Sequence, residues 1–499
     1  MYQPTKTSRP LVIASVMTTM FMVAIEATIV STAMPRIAAE LGGLDIYSWV
    51  FSAFLLSQTA MTVVFGKLAD QFGRKPVILA GIGIFVLFSA LAGLAWSMPS
   101  LIVFRLLQGV GAGAMQPVAM TLVGDLYPAA ERGKVQGYLA SVWATSAIVG
   151  PLVGGLITKH LTWSWIFWIN LPIGALAALG YLLFLKEAPQ REKRSIDVLG
   201  AVLFTLAITA LMAFLGAVGT GGPALAASAA AFLVLATLFV LQEGRAPDPM
   251  ISFALWRRRP LAVSNTACLL ANMALMCLTA FLPMYLQTIQ HRSAVTAGFA
   301  LTMMVLGWPA GATISGRIFP NFGLKPVIVV GSLFVPVGAS LFLLLDKDTP
   351  VWLPATGSLV MGFGMGLLSV CCIVLAQEIV DRSQRGAATA SNAFSRNLGN
   401  TVGAAVFGAV LNLGLARNGF ADVSSERLRQ LLEQGRTTDA ALEGALAGAL
   451  HLTFATMLGV SLLIVVAAFL LPATDIGRRP RAPSQPYAPA RGPTEAPNG

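Results

Sequence analysis

The chain has 499 residues, of which 56% are hydrophobic and 11% charged, with a formal net charge of +11 and a mean hydropathy of +0.75. That much apolar side chain exceeds what a soluble core of this length can hide, which excludes a soluble enzyme and places the chain in a bilayer. The basic residues are spread over short loops rather than gathered on one face or tail, which excludes nucleic acid as the partner.

Apolar runs of roughly 20 residues suffice to cross about 30 Å of hydrocarbon. In chain order such runs occupy 11–33, 46–66, 76–97, 99–121, 135–158 and 163–185, then 197–217 and 224–242, then 261–288, 295–316, 326–345, 351–377, 387–411 and 449–471. The prediction is an all-α integral membrane protein of about fourteen transmembrane helices. After an N-terminal segment at 1–10, a six-helix bundle at 11–186 and another at 260–471 flank a linker, 187–259, that carries two additional helices. The connectors at 188–194 and 244–260 are too small to be domains. The one long external loop, 412–448, has Leu428, Leu431 and Leu432 at helical spacing, which predicts a short amphipathic helix. The tail 472–499 is rich in Pro, Arg and Ala and is expected to be disordered. The first apolar run lacks a small-residue cleavage site and reads as the first helix rather than a signal peptide.

Loop charge sets the orientation. With the N-terminus inside, 23 of the 33 Lys and Arg fall on inner loops and tails, 8 outside and 2 within spans. Both termini are therefore expected in the cytoplasm, with the protein in the cytoplasmic (inner) membrane.

One segment is written twice. Gly66-Lys-Leu-Ala-Asp-Gln-Phe-Gly-Arg-Lys-Pro-Val-Ile78 returns as Gly316-Arg-Ile-Phe-Pro-Asn-Phe-Gly-Leu-Lys-Pro-Val-Ile328. Gly109-Val-Gly-Ala-Gly113 returns as Gly362-Phe-Gly-Met-Gly366, and Arg132-Gly133 as Arg385-Gly386; at the same shift Asp125 meets Glu378, Gly150 meets Gly403 and Gly155 meets Gly408. A constant shift that carries acid, Arg-Gly and Gly together marks two related halves, the construction by which many carriers build a pathway.

The segment from Gly66 to Val77 resembles the signature between helices 2 and 3 of the major facilitator superfamily, and the span count resembles its fourteen-helix drug:proton antiporter group. Glu26-Ala-Thr-Ile-Val-Ser-Thr-Ala-Met-Pro-Arg36, Arg105-Leu-Leu-Gln-Gly-Val-Gly-Ala-Gly113, Gly150-Pro-Leu-Val-Gly-Gly155 and Trp163-Ser-Trp-Ile-Phe-Trp-Ile-Asn-Leu-Pro-Ile-Gly174 extend the likeness over nearly the whole chain. Ser164 stands where an arginine is common in that group. The resemblance implies a major facilitator fold with two extra central helices, and export of small amphipathic compounds such as drugs, antiseptics and antibiotics in exchange for protons.

In the repeated turn, Gly66 and Gly73 allow close backbone approach and tight helix ends. By resemblance, Asp70 faces the positive N-terminus of the helix that begins near Gly386, and Arg74 pairs with Asp125. Together with Lys75, Arg132 and Glu378 they are expected to latch the cytoplasmic side. The second copy has Pro320 for Asp70 and Leu324 for Arg74, so Glu378 is expected to find Arg317 or Lys325.

Glu26 lies roughly 22 Å into its helix and Arg105 about 8 Å from the opposite entry, at 1.5 Å per residue, so the two reach nearly the same depth. An intramembrane acid is costly and functional by default. Helices 1 and 4 line the central cavity in the fold that the chain resembles, so Glu26 and Arg105 are expected to share one proton-coupling site there. In helix 5, Gly150, Pro151, Gly154 and Gly155 predict a bend and close packing, an element that by resemblance is typical of antiporters. Candidates for the cavity lining are Gln58, Gln116, Trp143, Asn265, Asn272, Met276, Trp308 and Arg396; a methionine and aromatic lining repacks around varied lipophilic ligands.

Cys268, Cys277, Cys371 and Cys372 lack metal or redox spacing, and His160, His291 and His451 form no cluster in sequence, so no metal or other cofactor is implied. There is no Gly-rich loop with Lys-Ser/Thr for ATP. The expected partners are a small-molecule substrate, protons and membrane lipid, with a periplasmic adaptor left open. A dedicated exporter of one endogenous metabolite, lipid or siderophore-like anion, with Arg105 and Arg396 selecting the charge, is the alternative, and a non-transporting membrane sensor is a third reading.

Overall fold

The computed structural model describes residues 8–42, 49–187, 197–217, 222–246, 257–418 and 440–472. The amphipathic helix expected around Leu428, the connector at 188–194, most of 244–260 and the tail after 472 lie outside the described residues.

The first half comprises α1 (Arg9–Leu41), α2 (Trp49–Phe72), α3 (Arg74–Ala92), α4 (Met98–Leu126), α5 (Ala129–His160) and α6 (Trp165–Phe184). Two helices follow, α7 (Val198–Ala217) and α8 (Gly222–Glu243). The second half comprises α9 (Arg259–Thr288), α10 (Ala294–Phe322), α11 (Leu324–Ser340), α12 (Trp352–Glu378), α13 (Arg385–Arg417) and α14 (Ala440–Leu470). Among the described residues, 13 helices are long and apolar enough to cross a membrane; in α7 the described apolar stretch, Leu199–Leu211, is shorter.

Several helices overrun the predicted spans. α1 and α13 have 33 residues each, about 50 Å at 1.5 Å per residue, because the backbone ladder continues through polar turns at which hydropathy stops. α14 starts at Ala440 rather than 449, which shortens the expected external loop, and Lys347 of the α11–α12 connection reaches Glu443 at 2.8 Å. That hydrogen bond to Glu443 raises the Lys347 ammonium above the ordinary lysine value.

The halves repeat each other in packing as well as in sequence. α1 packs on α5 and α6, α2 on α4, and α3 on α4 and α6; correspondingly α9 packs on α13 and α14, α10 on α12, and α11 on α12 and α14. The repeated glycines cause the match. A Cβ on Gly109 or Gly113 would strike α2 at Phe54 or Gln58 and one on Gly111 would strike α3 at Phe85, while Gly362 and Gly366 face Met304 and Trp308 of α10 and Gly364 faces Gly331 of α11. Alternate glycines thus let α4 and α12 each approach two neighbours at backbone distance.

Gly73 and Gly323 have φ of +94° and +89°, a conformation other residues rarely adopt, and each turns one helix directly into the next. The halves meet where α5 crosses α10 and α2 crosses α13. At these crossings Gly133 lies on Gly316, and Gly66 lies on Ala390 and the Gly386 carbonyl. α7 covers the second seam, with Phe204 at 5.7 Å from Phe394 of α13 and in one apolar cluster with Ala60, Val63 and Val64 of α2.

Candidate functional site

Glu26 and Arg105 are brought together, as their depths require. Glu26 is 0% and Arg105 1% exposed. Arg105 Nη1 donates to Glu26 Oε1 and to Gln108 Oε1 at 2.8 Å, its Nε donates to the Val50 carbonyl at 3.3 Å, and the guanidinium stacks 4.2 Å from the Phe54 ring. The other carboxylate oxygen accepts from Asn170 Nδ2 at 2.6 Å, which also donates to Ser89 Oγ at 3.0 Å. Gln108 Nε2 and Asn170 Oδ1 have no partner among the described residues. A buried ion pair is tolerable only with its remaining lone pairs and protons satisfied, which explains why five helices, α1, α2, α3, α4 and α6, contribute to it.

All of these partners belong to the first half. The acid is sealed inside that bundle and does not face the second half, which corrects the expectation of a site in the central cavity. Helix count at this depth is the reason: α2, α3 and α6 close around α1 and α4 on the side where Glu26 points. Asn170, Gln108 and Ser89 escaped notice because single amides and hydroxyls are unremarkable in sequence; the signal available was Asn170 within the Trp163–Gly174 segment.

At the end that carries the two repeated turns, Asp70 Oδ1 and Oδ2 accept from the backbone N–H groups of Gly386 and Ala387 at 2.9 and 2.7 Å. The carboxylate thereby caps the N-terminus of α13, whose first N–H groups have no helical partner. Arg74 pairs with Asp70 and with Asp125, both at 3.0 Å, and donates to the Arg382 carbonyl at 2.9 Å. Gly66 lets α2 touch α13 beside this cap.

Glu378 departs from expectation. It pairs with Arg132 at 2.7 Å and Arg385 at 3.4 Å, whereas Arg317 is exposed. The C-terminus of α12 ends against the first half at the axis between the halves, so the arginines that open α5 and α13 lie nearer than the turn after α10. The result is a crossed arrangement: Arg132 of the first half holds Glu378 of the second, and Arg385 of the second reaches Asp125 of the first at 3.4 Å. Both arginines donate to the last carbonyls of α4, at Gly124 O, at 2.6 and 3.1 Å, where cations complement the helix dipole. A cleft of about 530 Å³ lined by these side chains and Tyr127 opens beside them; partial burial raises the Tyr127 phenol above its ordinary value.

Lys75 takes no part across the halves. Its ammonium donates to the Leu182 and Leu185 carbonyls at 3.0 and 2.8 Å, closing the end of α6. Glu187, absent from the sequence reading, accepts from the Arg74 and Lys75 N–H groups at 2.9 and 2.7 Å and caps α3.

In α5, Gly150 packs on Thr28 of α1, but Gly155 is exposed with no neighbour near its missing Cβ, so the expected close approach stops short of it. Gly154 is buried, and α5 runs unbroken through Pro151, whose side chain lies outside the described ones. The cavity candidates divide. Asn265 donates to Ser391 Oγ at 2.5 Å and Asn272 to the Cys268 carbonyl at 2.8 Å, so both are consumed within the second half, and Gln58 is 8% exposed. Gln116, Met276, Trp308 and Arg396 are half-buried and Trp143 is 39% exposed. Arg396 sits over the Trp308 ring at 5.8 Å.

A duplicated six-helix bundle with glycine-paved crossings and a carboxylate capping a helix across the halves has the architecture of a membrane transporter built from repeats. The chain belongs to the Major Facilitator Superfamily, whose pattern it matches over residues 16–404. It is 34% identical over 421 residues to the multidrug transporter protein MdtP of Bacillus subtilis, covering 83% of this chain and 77% of that protein. It is 33% identical over 411 residues to multidrug resistance protein 3 of the same organism, covering 81% and 80%. The human organic anion transporter MFSD10 (TETRAN) superposes over 94% of this chain and all of its own with a TM-score of 0.64 at 17% identity, a likeness of fold.

Proposed function

We propose that this protein is a proton-coupled antiporter that exports small amphipathic compounds across the cytoplasmic membrane by alternating access. The observation that carries the reading is the sealed Glu26 carboxylate, held by Arg105 and Asn170 at 0% exposure in a transporter with multidrug-named relatives. The site supports proton exchange chemically. On protonation Glu26 loses its hold on Arg105 and becomes a donor, and the Asn170 amide, turned about its last torsion, offers Oδ1 as acceptor. Arg105 then keeps Gln108 and the Val50 carbonyl.

Because the acid lies within the first half and the substrate passes between halves, coupling is mechanical. Protonation loosens α1 from α4 and α6, and α1 is packed on α5, which meets α10 at the Gly133–Gly316 crossing. With both termini cytoplasmic, the latched end faces the cytoplasm and the described arrangement is the outward-facing one. Protonation there favours release of cargo and return to the inward-facing state; deprotonation inside readies the next cargo. Asp70, Arg74, Asp125, Arg132, Glu378 and Arg385 hold the latch.

The test uses purified protein in liposomes with a pH-sensitive dye inside and a panel of lipophilic cations, neutral drugs and organic anions. Substrate-dependent proton movement is expected for several of them. No proton movement with any transported compound would refute coupling, and transport of a single compound would favour a dedicated exporter.

A further inference from the structure

Of the two arginines placed inside the predicted spans, Arg105 and Arg396, only Arg105 has a carboxylate partner among the described residues. Arg105 divides its guanidinium among Glu26, Gln108 and a carbonyl. Arg396 lies about 16 Å along α13 from Arg385 at 1.5 Å per residue and makes no hydrogen bond or ion pair among the described residues. The described carboxylates of the second half, Asp346, Asp348, Glu378, Asp381 and Glu443, all stand at helix ends or in connections, so none is at hand at its level.

An unpaired guanidinium in low-dielectric surroundings is strongly unfavourable unless an anion or water reaches it. Arg396 is half-buried rather than sealed. Its described neighbours are the Trp308 ring, 5.8 Å away on α10, and the Cys268 and Cys372 side chains of α9 and α12, which lie within electrostatic reach but make no hydrogen bond to it. α10 packs on α5 and α13 on α2, so both helices that carry the pair border the seam between the halves. Met276 of α9 is also half-buried, and Asn392 is occupied with Cys268 Sγ at 3.3 Å. The surface therefore offers one unspent cation, an aromatic plane and soft apolar side chains. The repeat puts Trp143 at the corresponding position of the first half, so the charge stands on one wall only.

We propose that Arg396 and Trp308 form the subsite for the anionic head of an amphipathic aromatic anion, a sulfonate or carboxylate, carried between the halves. The guanidinium fork pairs with the oxyanion and the indole plane stacks on the ring. The assignment deepens the transport reading and rests on it only in that the carried molecule lies between the halves.

Equilibrium binding to the full-length protein in nanodiscs tests this without a proton gradient, using 1-naphthalenesulfonate as the anionic probe and tetraphenylphosphonium as the cationic one. The wild type is expected to bind the sulfonate. Arg396→Gln should weaken it about tenfold or more, the size of a lost charge-assisted hydrogen bond, and leave the cation within about twofold or tighter. Arg396→Lys, a point charge without the fork, should recover only part of the sulfonate affinity lost in Arg396→Gln, and Trp308→Ala should lose about threefold or more. A wild type that does not bind the sulfonate, an unchanged affinity in Arg396→Gln, or equal loss of both probes in a variant with a lowered melting midpoint would overturn the subsite. Failure of proton coupling in liposomes with Arg396-dependent binding intact would overturn the antiport reading alone.

Discussion

At the scale of single residues, the acid and arginine inside the membrane were legible because a charge in an apolar run is rare and both could be placed by counting. Their surroundings were not: Asn170, Gln108 and Ser89 are fixed by which way a helix faces, and one sequence has no marker for facing. The same limit hides the partners of Asn265 and Asn272: the first amide ties α9 to Ser391 of α13, and the second bonds the Cys268 carbonyl one turn back on its own helix. Glu26→Gln keeps the size of the side chain and removes its titratable proton, so ΔpH-driven export should fall to the level of empty liposomes; the melting midpoint should drop as well, because Arg105 loses its carboxylate, but by less than in Arg105→Ala, since Gln108 and the Val50 carbonyl still accept from the guanidinium. Arg105→Ala is the harsher change, because it leaves a carboxylate buried without its cation. It should destabilise by about 3–5 kcal/mol, and adding Glu26→Gln should restore part of that loss, measured by thermal unfolding of the purified proteins. Equal midpoints for the single and double variants would mean that the pair is not coupled.

Among elements, the repeat predicted which helices match, and the glycine stripes of α4 and α12 explain why they pack alike. The partners of Asp70 and Arg74 follow from the signature itself, whereas Glu378 pairs with Arg132 and Arg385 instead of the expected Arg317 or Lys325, because the loss of an acid at Pro320 and of an arginine at Leu324 pointed to a partner within its own repeat. The second half instead uses Glu378 with Arg132, a pairing between halves that no intra-repeat comparison exposes. Arg132→Glu and Glu378→Arg should each slow exchange about tenfold, corresponding to about 1.4 kcal/mol of coupling, and the double swap should recover most of it in a counterflow assay. Additive losses would argue that the two side chains act separately. At the adjoining crossing, Gly66→Val would drive a side chain into Ala390 and the Gly386 carbonyl; it should hold the repeated-turn end open, read as raised labelling of cysteines introduced there.

For the whole molecule, composition is enough for the membrane and the duplicated turn for the two halves, whereas the position of Glu26 relative to the seam between the halves depends on packing; in the proposed function that is the position of the proton site relative to the substrate path. Separation of the two makes the account mechanical: a proton taken up inside one bundle must change how that bundle meets the other. The hydrogen bonds and ion pairs named above between halves all sit at the repeated-turn end, where Lys134 and Arg317 are exposed next to the Gly133–Gly316 crossing. The four native cysteines are buried, so spin labels at Lys134→Cys and Arg317→Cys report that end alone. The distance between them in nanodiscs, measured from alkaline to acidic pH, tests the central claim most directly. The account predicts a short distance at alkaline pH that lengthens on acidification in the wild type, and a long distance at every pH in Glu26→Gln; a Glu26→Gln protein that still follows pH as the wild type does would contradict it.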